Sequence, residues 1–157
     1  MTGYFIAFEG GEGVGKSTQE AMLSDYLTQR GHVVLRTREP GGTPAAEQIR
    51  DTVLSRAHEG MNPQSEALLF AAARGDHVAR VVRPALGRGD VVICDRYIDS
   101  SISYQGYARA LGVDRIKDLS MWATGGLLPD LTIVMALDPD CLLYTYPSPR
   151  DSDSSRM

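Results

Sequence analysis

Apolar residues fall along the chain in four short runs separated by longer stretches with helical spacing. Residues 4–9 read as a buried strand and HVVLRTRE at 32–39 as a second one. DVVICDRY at 90–97 and LTIVMALD at 131–138 show no polar alternation, which predicts strands covered on both faces. Between the first two runs, KSTQEAMLSDYLTQRG predicts an amphipathic helix from about residue 16 to 30, ended by Gly31. Thr43 before Pro44 predicts a capped helix start, and Ile49, Val53 and Leu54 then share one face. A long helical stretch covers about 62–86, and a further helix about 113–122. Strands separated by helices of this length pair in parallel through right-handed crossovers. The fold class is α/β, with helices on both faces of the sheet.

Composition narrows this without redirecting it. The 157 residues suffice for one domain, and 43% hydrophobic with 23% charged residues is ordinary for a soluble globule. A net charge of −4 argues against a broad nucleic-acid footprint and against an anionic membrane surface. Cys94 and Cys141 fit neither a metal spacing nor a disulfide framework, and Cys94, inside VVICD, reads as a reduced core thiol. The sequence contains no signal peptide and no run long enough to span a membrane, which predicts a cytoplasmic protein. From Cys141 the character changes: CLLYTYPSPRDSDSSRM is rich in Ser, Asp, Arg and Pro without helical period. The expected division is a domain over 1–140 and a disordered or non-native tail over 141–157.

Candidate chemistry begins at FEGGEGVGKST, residues 8–18. The spacing Gly10-x-x-x-x-Gly15-Lys16-Ser17 is that of a phosphate-binding loop. Glycines at 10, 11, 13 and 15 are expected to take positive φ and turn backbone N–H groups around an anion. Gly10, Gly11, Gly13, Val14, Gly15, Lys16, Ser17 and Thr18 thus form the expected cradle for a chain of phosphates. Lys16 reaches the β- and γ-phosphates, and the Ser17 hydroxyl ligates Mg²⁺. The chain has only one other lysine, Lys117, so this one is not surface filler. Asp95, closing the VVICD strand, is placed to hold Mg²⁺ directly or through water. Arg38, Arg50, Arg74 and Arg96 all fall near carboxyl ends of strands or on adjoining helices, where ligands sit in open α/β sheets. Together they suggest a second phosphate and base site.

These residues carry a resemblance. FEGGEGVGKST, TREPGGT, AEQIR, LLFAAARGDHV, DRYIDSSISYQG and LLPDLTIVMALDPD, in that order from about Tyr4 to Asp140, resemble thymidylate kinase of bacterial type. The loop is shared by many NTPases, whereas REPGG with DRY…S…YQG is nearly specific. The resemblance implies a P-loop NTPase fold with sheet order 2-3-1-4, the Tyr4 strand central and the fifth strand missing. It also implies γ-phosphoryl transfer from ATP to dTMP, giving dTDP, with Mg²⁺ as cofactor and Lys16, Glu12 and Arg96 as catalytic residues. The phosphates in the loop's cradle would, by this resemblance, be those of ATP, and Glu12 would meet the sugar 3′-hydroxyl. Phe70 would stack on thymine, with Arg74 one turn later at its O4 edge. Arg38, Arg50 and Arg96 would clamp the acceptor phosphate, Ser101 and Gln105 would flank the base, and Tyr104 would close the space at sugar C2′. His77 is expected on the helix surface. Family members commonly pair through helices beside the acceptor site, which makes a homodimer an expectation of the resemblance.

Three departures qualify it. Ser103 stands where the family motif has alanine, and Ala136 where its strand carries an aspartate. The family continues with an arginine-bearing lid, further helices and a fifth strand, whereas residues 141–157 show no lid-like pattern. The expectation is therefore a C-terminally truncated kinase, impaired by loss of the lid. The alternatives are a nucleotide-binding fragment without turnover, or a P-loop kinase for another nucleoside or nucleotide.

Overall fold

The computed structural model describes residues 3–137; the segment read above as a separate tail, 141–157, lies outside the described residues. Four strands form one sheet: β1 (Tyr4–Gly10), β2 (Val34–Arg38), β3 (Val91–Asp95) and β4 (Leu131–Met135). They lie in the order β2-β3-β1-β4, every pair parallel, as expected from the resemblance. In register, Phe8 lies opposite Asp95 and Gly10 opposite Met135.

The two inner strands are apolar on both faces because each face meets its own layer. Phe5, Ala7, Val92 and Cys94 pack with Val78, Val82, Tyr97 and Ile98 on one side of the sheet. Ile6, Phe8, Val91 and Ile93 meet Leu23 and Leu27 of α1 (Lys16–Gln29) on the other. The edge strand β4 departs from expectation. In β4, Ile133 and Met135 pack onto the α1 side, but Leu131 is 43% and Val134 71% exposed, so this strand is not covered on both faces. Helix α1 also differs from the amphipathic reading: Met22 and Tyr26 face solvent, while Lys16 and Glu20 are buried.

Helix α2 (Pro44–Leu54) starts as its sequence predicts. The Thr43 hydroxyl accepts from the Ala46 N–H at 3.1 Å, and Pro44 occupies the first turn, where its missing N–H costs nothing. The long helical stretch is three joined pieces: α3 (Pro63–His77), a π-helical turn at Val78–Val82, and α4 (Arg83–Arg88). Pro84 supplies the reason for the turn, because it lacks the N–H and crowds the preceding carbonyl, and a wider turn absorbs both defects. After β3, α5 (Ile98–Ser101) runs on as a π-helical segment over Ile102–Ala108, and α6 (Val113–Thr124) leads back towards β4. No described helix is long and apolar enough to cross a membrane.

Candidate active site

The loop between β1 and α1 lies at the carboxyl end of the sheet's central strands. Gly10 (φ 141), Gly13 (φ 75) and Gly15 (φ 90) adopt the positive φ that their residue type permits. Gly11 does not, and in that the sequence expectation is corrected. A Cβ on Gly10 would stand 2.3 Å from the Met135 carbonyl oxygen, so the β1–β4 register itself requires glycine there. Val14 is buried, whereas Ser17 and Thr18 are exposed at the start of α1. Lys16 folds over the loop and donates to the carbonyls of Gly11 at 2.7 Å and Gly10 at 3.1 Å.

Asp95 faces this lysine from the end of β3. Its Oδ1 lies 3.9 Å from Lys16 Nζ, beyond hydrogen-bond reach, and is buried without a partner. An orphaned carboxylate oxygen beside an anion cradle is what a hard cation would complete. Glu20, one turn after Lys16, leaves Oε1 similarly buried and unpartnered, and holds Arg36 at 3.7 Å through Oε2. Burial, and then the negative charge of Asp95, raises the Glu20 carboxyl pKa above its ordinary value.

A cavity of about 500 Å³ opens beside the loop, and Glu12 lines it from the loop itself. Phe70 and Arg74 of α3 form one wall. Ser101, Tyr104 and Gln105 come from the segment after β3, and Arg50, Arg96, Glu66 and Arg109 add to the polar lining. Arg96 is held at φ 66, an uncommon conformation for a residue with a side chain, by its N–H bond to the Phe8 carbonyl at 2.8 Å. Its guanidinium lies 5.5 Å over the Tyr104 ring. Arg50 donates to the Pro40 carbonyl at 2.9 Å. Arg38, expected beside these two, instead pairs with Glu47 at 2.9 Å and does not line the cavity.

Arg74 is tied down more firmly than its sequence position suggests. Four of its five N–H groups are taken: Nε by Glu39 at 2.6 Å, Nη1 by Ser120, and Nη2 by Ser101 and the Tyr97 carbonyl. Glu39 also receives His77 Nδ1 at 3.0 Å, and a carboxylate accepts only, so Nδ1 carries the proton. In the neutral ring, His77 Nε2 then accepts from the Thr37 hydroxyl at 2.7 Å. His77 is fully buried, which corrects the expectation of a helix-surface residue. The physical reason is Glu39, which brings a buried charge that needs donors from α3.

Glu39, His77 and Cys94 are the one His/Cys/Asp/Glu trio among the described residues whose ligand atoms lie within 4.8 Å of one another. Glu39 and His77 are already engaged, and burial pushes the Cys94 thiol well above its ordinary pKa. The trio is therefore a structural polar core and an inert thiol. Glu9 was also not foreseen. Buried at the end of β1, it accepts from the N–H groups of Tyr97 at 2.8 Å and Ser100 at 3.3 Å, and so caps α5. An acid inside an apolar run, as in FEGG, was the one available signal.

Known proteins resemble this chain over most of its length. The family model for thymidylate kinase matches residues 8–144. A thymidylate kinase of Clavibacter sepedonicus is 56% identical over 138 residues, covering 88% of this chain and 65% of that protein. One from Bacillus licheniformis is 51% identical over 140 residues, covering 89% of this chain and 66% of that protein. The chain thus spans about two thirds of the length of the relatives it matches. A crystal structure of thymidylate kinase from Ehrlichia chaffeensis superposes with a TM-score of 0.81 at 36% identity, covering 92% of this chain and 82% of that one. With the loop, the sheet order and the matched span in agreement, the chain belongs to the thymidylate kinase family.

Proposed function

We propose that the chain transfers the γ-phosphoryl group of ATP to the phosphate of dTMP, giving dTDP. The observation that carries this reading is the junction of loop and cavity at Glu12. An anion cradle with a buried lysine opens there onto a cleft that combines an aromatic wall, four arginines (Arg50, Arg74, Arg96 and Arg109) and polar base-edge groups. Transfer between bound phosphates relies on positioning and charge, and needs no histidine base. Lys16 and the loop amides of residues 10–18 would hold the donor phosphates, with Lys16 exchanging its loop carbonyls for phosphate oxygens. Ser17 and Asp95 would hold Mg²⁺, which neutralises charge on the β- and γ-oxygens when bound. Arg50 and Arg96 face the acceptor phosphate. Arg38 would join them by leaving Glu47, an exposed pair worth little. Phe70 would stack on the base, Ser101 and Gln105 would flank it, and Glu12 would meet the sugar 3′-hydroxyl. A homodimer belongs to the same reading, because Leu68 and Trp122 lie exposed on the neighbouring helices α3 and α6.

The test is a coupled ADP-release assay on the 157-residue chain with dTMP, dUMP, UMP and AMP, alongside calorimetry with each. Preference for dTMP in both is expected. Tyr104→Ala, which removes the ring expected against sugar C2′, should admit UMP. AMP turnover equal to that with dTMP would sink the assignment. Binding of dTMP with no ADP released would leave a nucleotide-binding module.

A further inference from the structure

Gln105 is oriented by a residue that had no place in the sequence reading. Its Nε2 donates to Glu66 Oε1 at 2.9 Å, and Glu66 Oε2 receives Arg109 Nη2 at 2.9 Å. All three residues line the cavity. An ionised carboxylate can only accept, whereas an amide has one donating and one accepting end. Glu66 therefore compels the NH₂ end to face it, and the carbonyl Oε1 is the end left for the cavity. Gln105 is 4% exposed, yet its Oε1 is neither bonded among the described residues nor sealed from solvent. Four residues earlier, Ser101 is bonded to Arg74, whose Nη1 retains the one N–H not yet engaged. The wall thus offers a fixed donor at Arg74 and a fixed acceptor at Gln105.

We infer that Glu66 is a positioning residue that sets base selectivity: by fixing the Gln105 amide, it makes the cavity match a pyrimidine with a 4-carbonyl and a 3-N–H, and oppose one with a 4-amino group and a bare N3. Thymine and uracil present acceptor then donor along that edge, and cytosine presents the reverse. A mismatched base would set donor against donor and acceptor against acceptor, leaving buried polar groups unpaired. The inference rests on the cavity being the acceptor-nucleotide site. The outer pair with Arg109, which is 53% exposed, braces Glu66 and adds little energy of its own.

Glu66→Gln tests it with almost no change of shape. Arg109 would then take the new amide's carbonyl and turn its NH₂ towards Gln105, which must rotate and show its own NH₂ to the cavity. Calorimetry with dTMP, dUMP and dCMP should show weaker dTMP and dUMP binding and stronger dCMP binding. The dTMP:dCMP affinity ratio should fall by about tenfold or more. Glu66→Ala, which leaves Gln105 free to turn, should move the ratio in the same direction by less. A parallel fall in all three affinities at an unchanged ratio would assign Glu66 a merely structural role and overturn the inference, while the acceptor reading stands. A wild-type chain that binds dCMP as tightly as dTMP, or binds neither, would remove the acceptor reading itself.

Discussion

Replacing Arg74 with methionine removes one half of a buried ion pair and leaves the other half in place. Arg74 and Glu39 are each 3% exposed, and their contact is 2.6 Å. Without the guanidinium, the Glu39 carboxylate keeps only His77 Nδ1, and Ser120, Ser101 and the Tyr97 carbonyl each lose a partner. Breaking such a pair costs about 3–5 kcal/mol, because the remaining charge stays buried. That is a large share of the roughly 5–15 kcal/mol by which a domain is stable. For a domain of this size it corresponds to a drop of roughly 6–20 °C in melting temperature. Removing both charges together, Glu39→Gln with Arg74→Met, should recover much of the loss, so the double variant should be more stable than Arg74→Met alone. Urea unfolding followed by far-ultraviolet circular dichroism, with slopes held comparable, reads these differences directly. The reasoning fails if Arg74→Met loses less than about 1 kcal/mol, or if the two single losses simply add. Loss of dTMP affinity without loss of stability would make Arg74 chiefly a base-reading residue, the role that the family resemblance implies.

Two further outcomes can be checked on the same material. Gly10→Ala should unfold the loop and abolish ATP binding, because its Cβ would meet the Met135 carbonyl at 2.3 Å; Gly11→Ala, with its nearest neighbour at 3.7 Å and no positive φ, should keep melting temperature and ATP affinity near wild type. Equal damage from both would contradict the loop geometry. Glu20 has its carboxyl pKa raised in the folded state, so its stabilising contribution is full below the unfolded value of about 4.5 and is lost as pH rises through the folded one. Glu20→Gln cannot ionise and escapes that loss, so its gain in melting temperature should be small near pH 4 and grow to a plateau at neutral pH. A gain independent of pH would remove burial of the charge as the cause.

Helix starts, the phosphate loop and the parallel layering were legible because their causes are local. Glycine spacing fixes where the backbone can turn around an anion, Thr43–Pro44 carries its own cap, and the run VVICD, unlike LTIVMALD at the sheet edge, is buried on both faces as its pattern predicts. Family motifs added the sheet order, which no local pattern contains. What the linear pattern left open is the fate of its charged residues. Arg38, Arg50 and Arg96 look alike in sequence, yet Glu47 draws the first away from the cavity, while the other two remain in its lining. His77 looks like one more polar helix position, and becomes core only because Glu39, 38 residues earlier, is folded beneath it. Glu20 and Glu66 were likewise invisible as working parts, and Glu9 showed only as an acid in an apolar run, since a carboxylate declares its role only through donors that the fold brings to it: Arg36 for Glu20, Gln105 for Glu66 and Ser100 for Glu9. Backbone propensity and apolar burial act between near neighbours or by residue type, and so can be read along a chain. Hydrogen bonds to buried charge depend on angstrom-scale placement of groups tens of residues apart, and only the packed structure decides those.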